Sequence, residues 1–230
     1  LINYPFAVPG LWYTITGTNS CASAHRWLRD RFFMSEGENG AHAFAKMDEM
    51  AAASAAGADG LLFHPYLQGE RAPHWDALLR ADFIGMTFRH DRGHFVRALY
   101  EGIAFSLRDI LEQFRAQKLD LAEARIIGGG ARSATWRQIV ADVLGIRILM
   151  PAVTDASFGA ALLAGVGVGV FADEASAVTT CVATAAVHEP DPGRRDLYDA
   201  LYPIYRDSAL ALVDINHRLA RFGQSAHKGN

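Results

Sequence analysis

Cysteine is scarce in this sequence. Two cysteines occur among 230 residues, Cys21 and Cys181, and they lie far apart and outside any C-x-x-C pair. A disulfide framework and a paired-cysteine metal or redox centre are therefore excluded. The cysteine content predicts a protein of a reducing compartment, the cytoplasm.

A strong charge of one sign is also missing. The sequence has 22 Lys and Arg against 25 Asp and Glu, which gives a formal net charge of -3 and a pI near 6.3. This balance provides no bulk attraction to phosphate backbones or anionic membranes, although the nine His residues would shift it at mildly acidic pH. We expect neither nucleic acid nor a membrane as a partner.

The sequence lacks a hydrophobic run long enough to span a bilayer. The most apolar stretch, 156–171, is shorter than the roughly 20 residues that a spanning helix needs. We predict that it forms a buried helix. The first ten residues show no basic region or small-residue cleavage site of a signal peptide. Because the chain starts with Leu1, we expect it to be part of a longer protein.

Extended and helical patterns alternate along the chain. The predicted strands cover 11–16, 61–66, 124–127 and 147–150, and the predicted helices cover 21–33, 41–56, 95–114, 134–144, a segment from 156 onward, and 194–222. This alternation predicts an α/β fold with a sheet covered on its faces. We find no internal domain boundary, and the hydrophobic half of the residues can bury one core.

The strongest chemical signal is a glycine turn, Gly128–Ala131, between a predicted strand and a predicted helix. Glycines at such a place let a ligand approach the backbone, and the free N–H groups of the next helix start favour anions. The pattern is neither a Walker A loop nor a G-x-G-x-x-G motif. Taken alone, it indicates a nucleotide site and a tight turn equally well.

Several acidic residues could act as acid, base or magnesium ligand, but we interpret them as structural. We expect Glu70 and Arg71 to brace a long loop by pairing with neighbouring charges. Glu101 and Asp109 should be solvated or paired with a nearby arginine, and Asp155 should cap the helix that follows it. The histidines show no metal-ligand spacing, so we assign no metal site.

Seven separated segments resemble, in order along the chain, the FGGY family of carbohydrate kinases. They are Trp27–Asp30, Gly69–Asp76, Ile84–Met86, Arg97–Asp109, Ile126–Trp136, Phe158–Gly165 and Leu201–Asp207. The family's second signature also maps onto Ala81–Glu101, with Leu99 as a departure.

The resemblance implies the fold of actin, Hsp70 and hexokinase, in which two ribonuclease H-like domains hold ATP and a sugar between them. Residues 1–230 would be the C-terminal, nucleotide-binding domain of the two. The first strands of that domain and the whole N-terminal sugar-binding domain would be absent. We therefore expect exposed apolar surface where the missing strands would pair, and a homodimer is compatible with the sequence.

The resemblance also implies which residues bind the nucleotide. Gly129 and Gly130 would lie against the adenine and ribose. Ser133 and Ala134 stand at the following helix start, where many relatives carry an Asn. Arg26 occupies the position at which glycerol kinases contact the nucleotide through a Gln, and a phosphate or ribose contact and a solvated helix charge remain equal alternatives for it.

The implied activity is transfer of the γ-phosphate of ATP, with Mg²⁺, to the hydroxyl of a small sugar. The segments 64–76 and 97–102 are most similar to the xylulokinase branch, which implies conversion of D-xylulose to D-xylulose 5-phosphate. The alternatives are gluconokinase, another pentulose kinase, glycerol kinase, and a non-catalytic nucleotide-binding module. The family's catalytic Asp precedes the region seen here, so we assign no catalytic residue.

Overall fold

The computed structural model describes residues 1–34 and 39–227. The strands are β1 (Ile2–Pro5), β2 (Trp12–Ile15), β3 (Leu62–His64), β4 (Asp82–Ile84), β5 (Glu123–Arg125), β6 (Arg147–Pro151) and β7 (Thr184–His188). The helices are α1 (Cys21–Leu28), α2 (Gly40–Ala53), α3 (Arg92–Ala116), α4 (Ala134–Leu144), α5 (Ala156–Gly167), α6 (Glu174–Cys181), α7 (Pro192–Ala211) and α8 (Val213–His227).

Helix α3 is the centre of the core. It begins at a capping box in which the Asp91 side chain accepts from the first backbone amides of the helix. Leu99 and Ile103, on its apolar stripe, are fully buried. A Cβ added at Gly102 would collide with the carbonyl oxygen of Phe63 on β3. The glycine therefore allows α3 to pack directly on the backbone of this strand.

The strands form three small sheets within the described residues. β1 and β2 form an antiparallel hairpin, β3 pairs antiparallel with β4, and β6 pairs parallel with β5 and antiparallel with β7. The unit β5–α4–β6 is a parallel crossover and contains the glycine turn. The predicted α/β alternation is present, but it does not produce one continuous sheet.

The prediction of a buried helix in the Ala/Gly-rich segment is wrong. Helix α5 begins at the expected place, yet none of its twelve residues is buried. It contacts α6, and no sheet of the described part of the chain covers it. Small apolar side chains on every side give a helix no preferred buried face, so composition alone could not predict its exposure.

The C-terminal region forms two helices where the sequence predicts one. Helix α7 ends at Ala211, and α8 begins at Val213 after a break at Leu212. The side chains of Tyr198, Tyr202 and Tyr205 on α7 are buried in the main core. Helix α7 is therefore part of the same core as α3.

The hairpin β1–β2 carries exposed apolar side chains. Trp12 is 70% exposed, and the aromatic rings of Tyr4, Phe6 and Tyr13 contact one another on the surface. The hairpin therefore exposes apolar surface, and the expectation that missing strands would pair at such a surface stays a prediction. No helix of the described residues is long and apolar enough to cross a membrane.

Candidate functional site

The glycine turn links β5 to α4. Gly128 has φ 81° and ψ -165°, a conformation open to glycine, and its amide donates to the Thr154 carbonyl at 3.2 Å. A short 3-10 turn, Gly129–Arg132, follows. Ser133 then caps α4, because its Oγ accepts from the Trp136 amide at 2.9 Å.

The turn presents bare backbone on one side. Gly129 is exposed, and a Cβ placed there would meet no atom within 4 Å. A Cβ at Gly130 would lie 3.2 Å from the Trp136 Nε1. Gly129 thus borders open space, whereas Gly130 rests on an indole ring. A flat ligand can approach the turn at Gly129 without displacing protein atoms.

The two residues after the turn contribute in different ways. The Ser133 hydroxyl is occupied by the helix cap, while Ala134 is exposed at the first position of α4. The first N–H groups of a helix have no partner within the helix and carry the positive end of its dipole. The start of α4 therefore suits a polar or anionic ligand group.

Helix α1 lies beside this turn through an aromatic cluster. The His25 ring stacks on Tyr100 with ring centres 4.4 Å apart and meets Trp136 edge-on at 4.9 Å. Burial lowers the pKa of His25 to about 3. Its Nε2 is buried and has no hydrogen-bond partner among the described residues.

Arg26 follows His25 on α1 and is exposed. It lines a surface groove of ≈ 410 Å³ together with Ser23, Trp27, Asp30 and Arg31. The glycine turn is not part of that lining. The structure therefore brings the helix of Arg26 next to α4 but places the arginine in a groove of its own.

A buried arginine near the turn, Arg137, was not predicted from the sequence. It lies on α4, is 7% exposed, and its Nη1 donates to the Ala131 carbonyl at the end of the glycine turn. Its Nε donates to His188 Nε2 on β7 at 2.9 Å. One feature of the sequence could have indicated it. Arg137 is the single charged residue on a face of α4 that otherwise carries the small or apolar residues Ser133, Val140 and Leu144.

Glu70 braces its loop, as expected, but through backbone amides rather than through a close ion pair among the described residues. Its Oε1 accepts from the backbone amides of Asn19 at 2.8 Å and Arg71 at 2.7 Å, and its backbone pairs with that of Asp76. Burial raises the pKa of Glu70, and the two amides oppose that rise. The expected pairing with neighbouring charges is wrong, because backbone donors take its place.

The acids of α3 have structural partners. Glu101 pairs with Arg97 at 2.5 Å, which confirms one expected pair. Asp109 accepts from the Tyr202 hydroxyl at 2.6 Å and lies 3.9 Å from Arg206, which were not predicted. The prediction that Asp155 caps the next helix is confirmed by its acceptance from the Ser157 amide at 2.8 Å.

Residues 1–34 and 39–227 contain no group of three His, Cys, Asp or Glu side chains that could hold a metal ion.

The chain is similar to curated sugar kinases. A xylulose kinase of Staphylococcus epidermidis is 37% identical over 200 residues, which are 86% of this chain and 39% of the relative. A gluconokinase of Bacillus licheniformis is 31% identical over 205 residues, 87% of this chain and 40% of the relative. The chain thus spans about two fifths of the length of these curated relatives.

Solved structures give the same result for the fold. The crystal structure of xylulose kinase from Rhodospirillum rubrum aligns with a TM-score of 0.75 at 32% identity, and the alignment covers 87% of this chain and 40% of that one. The chain therefore has the α/β, ribonuclease H-like fold of the actin and hexokinase type, and its class is that of the sugar kinases. The family model for the FGGY family of carbohydrate kinases, C-terminal domain, matches residues 1–168, and the chain belongs to this family.

Proposed function

We propose that the chain is the nucleotide-binding part of an ATP-dependent sugar kinase, and that its glycine turn holds the nucleotide. Gly129 and Gly130 would lie against the adenine and ribose, and the helix start at Ser133 and Ala134 would border the same ligand. The observation that carries the proposal is the open, side-chain-free surface at Gly129 directly before a capped helix. Kinases of this family use ATP as the phosphate donor.

Arg26 is proposed as a contact to a phosphate or to the ribose. It is an exposed cation, with no ion-pair partner among residues 1–34 and 39–227, on the helix that packs beside α4 through His25. A guanidinium suits phosphate recognition because its planar fork donates two parallel hydrogen bonds. In the alternative that the sequence left open, Arg26 is a solvated surface charge.

Phosphoryl transfer needs more than a nucleotide site. The attacking hydroxyl must be oriented and deprotonated, and charge must be neutralised on the phosphates, usually with Mg²⁺. The acids Glu70, Glu101 and Asp109 are occupied by structural partners. We propose that the catalytic Asp, most sugar contacts and any magnesium ligands belong to an N-terminal half outside this chain, with Mg²⁺ bound together with ATP.

D-Xylulose is the substrate that we propose, with D-xylulose 5-phosphate as the product. The support comes from relatives named xylulose kinase at 33–37% identity. Gluconate is the second candidate, because a gluconokinase matches a similar share of the chain at 31% identity. We propose the cytoplasm as the location, which suits the two free cysteines.

The activity is tested with the full-length product of the gene. ADP release is measured with MgATP and a panel of D-xylulose, D-ribulose, D-gluconate and glycerol. We expect the highest kcat/KM on D-xylulose. Highest turnover on another member would replace the substrate, whereas ADP binding without any turnover would favour a non-catalytic nucleotide-binding module.

The site is tested with Gly129→Ala. Because the added methyl meets open space, the melting temperature should stay within about 1 °C of the wild type. The methyl would intrude on the bound nucleotide, so the Kd for ADP should rise on the order of tenfold. Gly223→Ala on α8, where a Cβ also meets no atom within 4 Å, is the matched control. Equal ADP affinity in both variants would place the nucleotide elsewhere.

A further inference from the structure

Arg137 is a buried cation held by neutral acceptors. Its guanidinium donates to the carbonyl of Ala131, a fully buried residue inside the 3-10 turn. In the part of the chain that the structure describes, no carboxylate lies within ion-pair distance of it. Burial lowers the pKa of Arg137, and the more distant Asp48 carboxylate opposes this. Burying an arginine without a close counter-ion is costly, so the position needs a reason.

His188 fixes the guanidinium from the other side. The Arg137 Nε–H donates to His188 Nε2 at 2.9 Å, which requires that this ring nitrogen carry no proton. The remaining proton then sits on Nδ1, where the Gln138 Oε1 accepts it at 3.1 Å. Burial and the Arg137 charge lower the pKa of His188, and Asp142 opposes the shift. The network therefore defines one neutral tautomer of this histidine.

The network continues to the start of α7. The Gln138 Nε2 donates to Asp142 Oδ1 at 2.7 Å. The same Asp142 oxygen accepts from the Asp191 amide at 2.9 Å, and Arg194 Nη1 lies 3.4 Å from the other oxygen. Asp142 is fully buried. A continuous series of hydrogen bonds through α4 thus links the glycine turn to β7 and α7.

We propose that Arg137 is a positioning residue for nucleotide binding: it holds the Ala131 carbonyl and so fixes the turn Gly129–Arg132, while neutral His188 fixes Arg137. The inference rests on the proposed nucleotide site. The turn has no side chains at Gly129 and Gly130 to define its shape. The hydrogen bonds from Arg137 to the Ala131 carbonyl and to His188 therefore hold the turn in place. Protonated His188 would point a second N–H at the arginine and release the turn.

Other charges surround His188. Arg137 and Asp142 face it from α4, and next to it along the strands the Arg147 guanidinium pairs with the Glu189 carboxylate at 2.7 Å. The Arg147–Glu189 pair is half-exposed. Arg147→Gln is therefore a matched control, because it removes a charge beside His188 without changing the hydrogen bonds of Arg137.

The experiment measures ADP binding by calorimetry on the full-length gene product. At pH 7.5 we expect Arg137→Gln to raise the Kd on the order of tenfold, Arg137→Lys to recover part of the loss, and Arg147→Gln to leave it unchanged. Because the pKa of His188 is lowered, the wild type should lose affinity only as the pH falls well below 6.5 and His188 takes up a proton. His188→Gln keeps an acceptor that does not titrate, so its affinity should stay nearly constant between pH 6.5 and 5.

The outcomes separate the two proposals. If the wild type does not bind ADP, the nucleotide site and this inference both fail. If the wild type binds ADP and Arg137→Gln binds it equally well, the site stands and the inference is overturned. If Arg137→Gln does not fold, the pH comparison decides: a parallel loss of affinity in the wild type and in His188→Gln would overturn the inference.

Discussion

Tyr198 should contribute strongly to stability through a single hydroxyl group. It donates to Glu101 Oε1 at 2.6 Å and accepts from Arg97 Nη2 at 2.6 Å, in the buried core between α7 and α3. Burial raises the pKa of Glu101, and Arg97, the Tyr198 hydroxyl and the Gly57 amide oppose that rise. In Tyr198→Phe the ring still fills its space, but both charged groups lose one partner.

The expected loss follows from the number of bonds. Hydrogen bonds to charged groups contribute about 1.5–3 kcal/mol, and Glu101 retains Arg97 Nε and the Gly57 amide after the change. We therefore expect the free energy of unfolding to fall by about 2–3 kcal/mol. For a chain of this size that corresponds to a decrease in Tm of about 5–10 °C.

The assay is urea unfolding followed by circular dichroism, supported by calorimetric Tm values. Tyr13→Phe is the control, since this tyrosine is 43% exposed on the hairpin and should tolerate the change. The urea m-value should stay the same, because the surface exposed on unfolding does not change. A loss below about 0.5 kcal/mol in Tyr198→Phe would refute the argument that the buried ion pair depends on this hydroxyl.

Three further predictions concern packing, pH and association. Gly102→Ala forces a methyl against the Phe63 carbonyl and should lower the unfolding free energy by about 3 kcal/mol in urea, whereas Gly223→Ala should not. The folded-state pKa of His25 is about 3 against an unfolded value of 6.5, so stability is full above pH 6.5 and falls as pH drops toward 3, by about 2 kcal/mol at pH 5. His25→Phe should remove that loss, and equal slopes for both proteins would exclude His25 as its source. Trp12→Ser should reduce self-association of the chain in light scattering, and a wild type that is already monodisperse would contradict this prediction.

Much of the fold could be predicted because the local signals agree with the final packing. The apolar stripe of α3 and the strand, glycine turn and helix around residue 129 appear at the expected places. β1, β4 and β7 were not predicted. The sequence of β7, Thr184–His188, is rich in alanine, and its extended form depends on pairing with β6.

The site could be predicted only in its backbone. Glycines after a strand indicate open main chain, and that is what Gly129 shows. The roles of Arg137 and His188 could not be read from spacing, because they depend on a contact between residues 51 positions apart. Assignment of Gly129, Gly130, Ser133, Ala134 and Arg26 to the nucleotide stays a prediction until binding is measured.

Helix α7 affects how this protein can be trimmed or recombined with its relatives. The match to the family model ends at residue 168, yet Tyr198, Tyr202 and Asp191 beyond it hydrogen-bond to α3 and α4. A fragment ending at residue 168 would lose the family-like segment Leu201–Asp207 and would leave Glu101, Asp109 and Asp142 short of partners. Chimeras with relatives should therefore exchange α3, α4 and α7 together, so that these hydrogen bonds are kept.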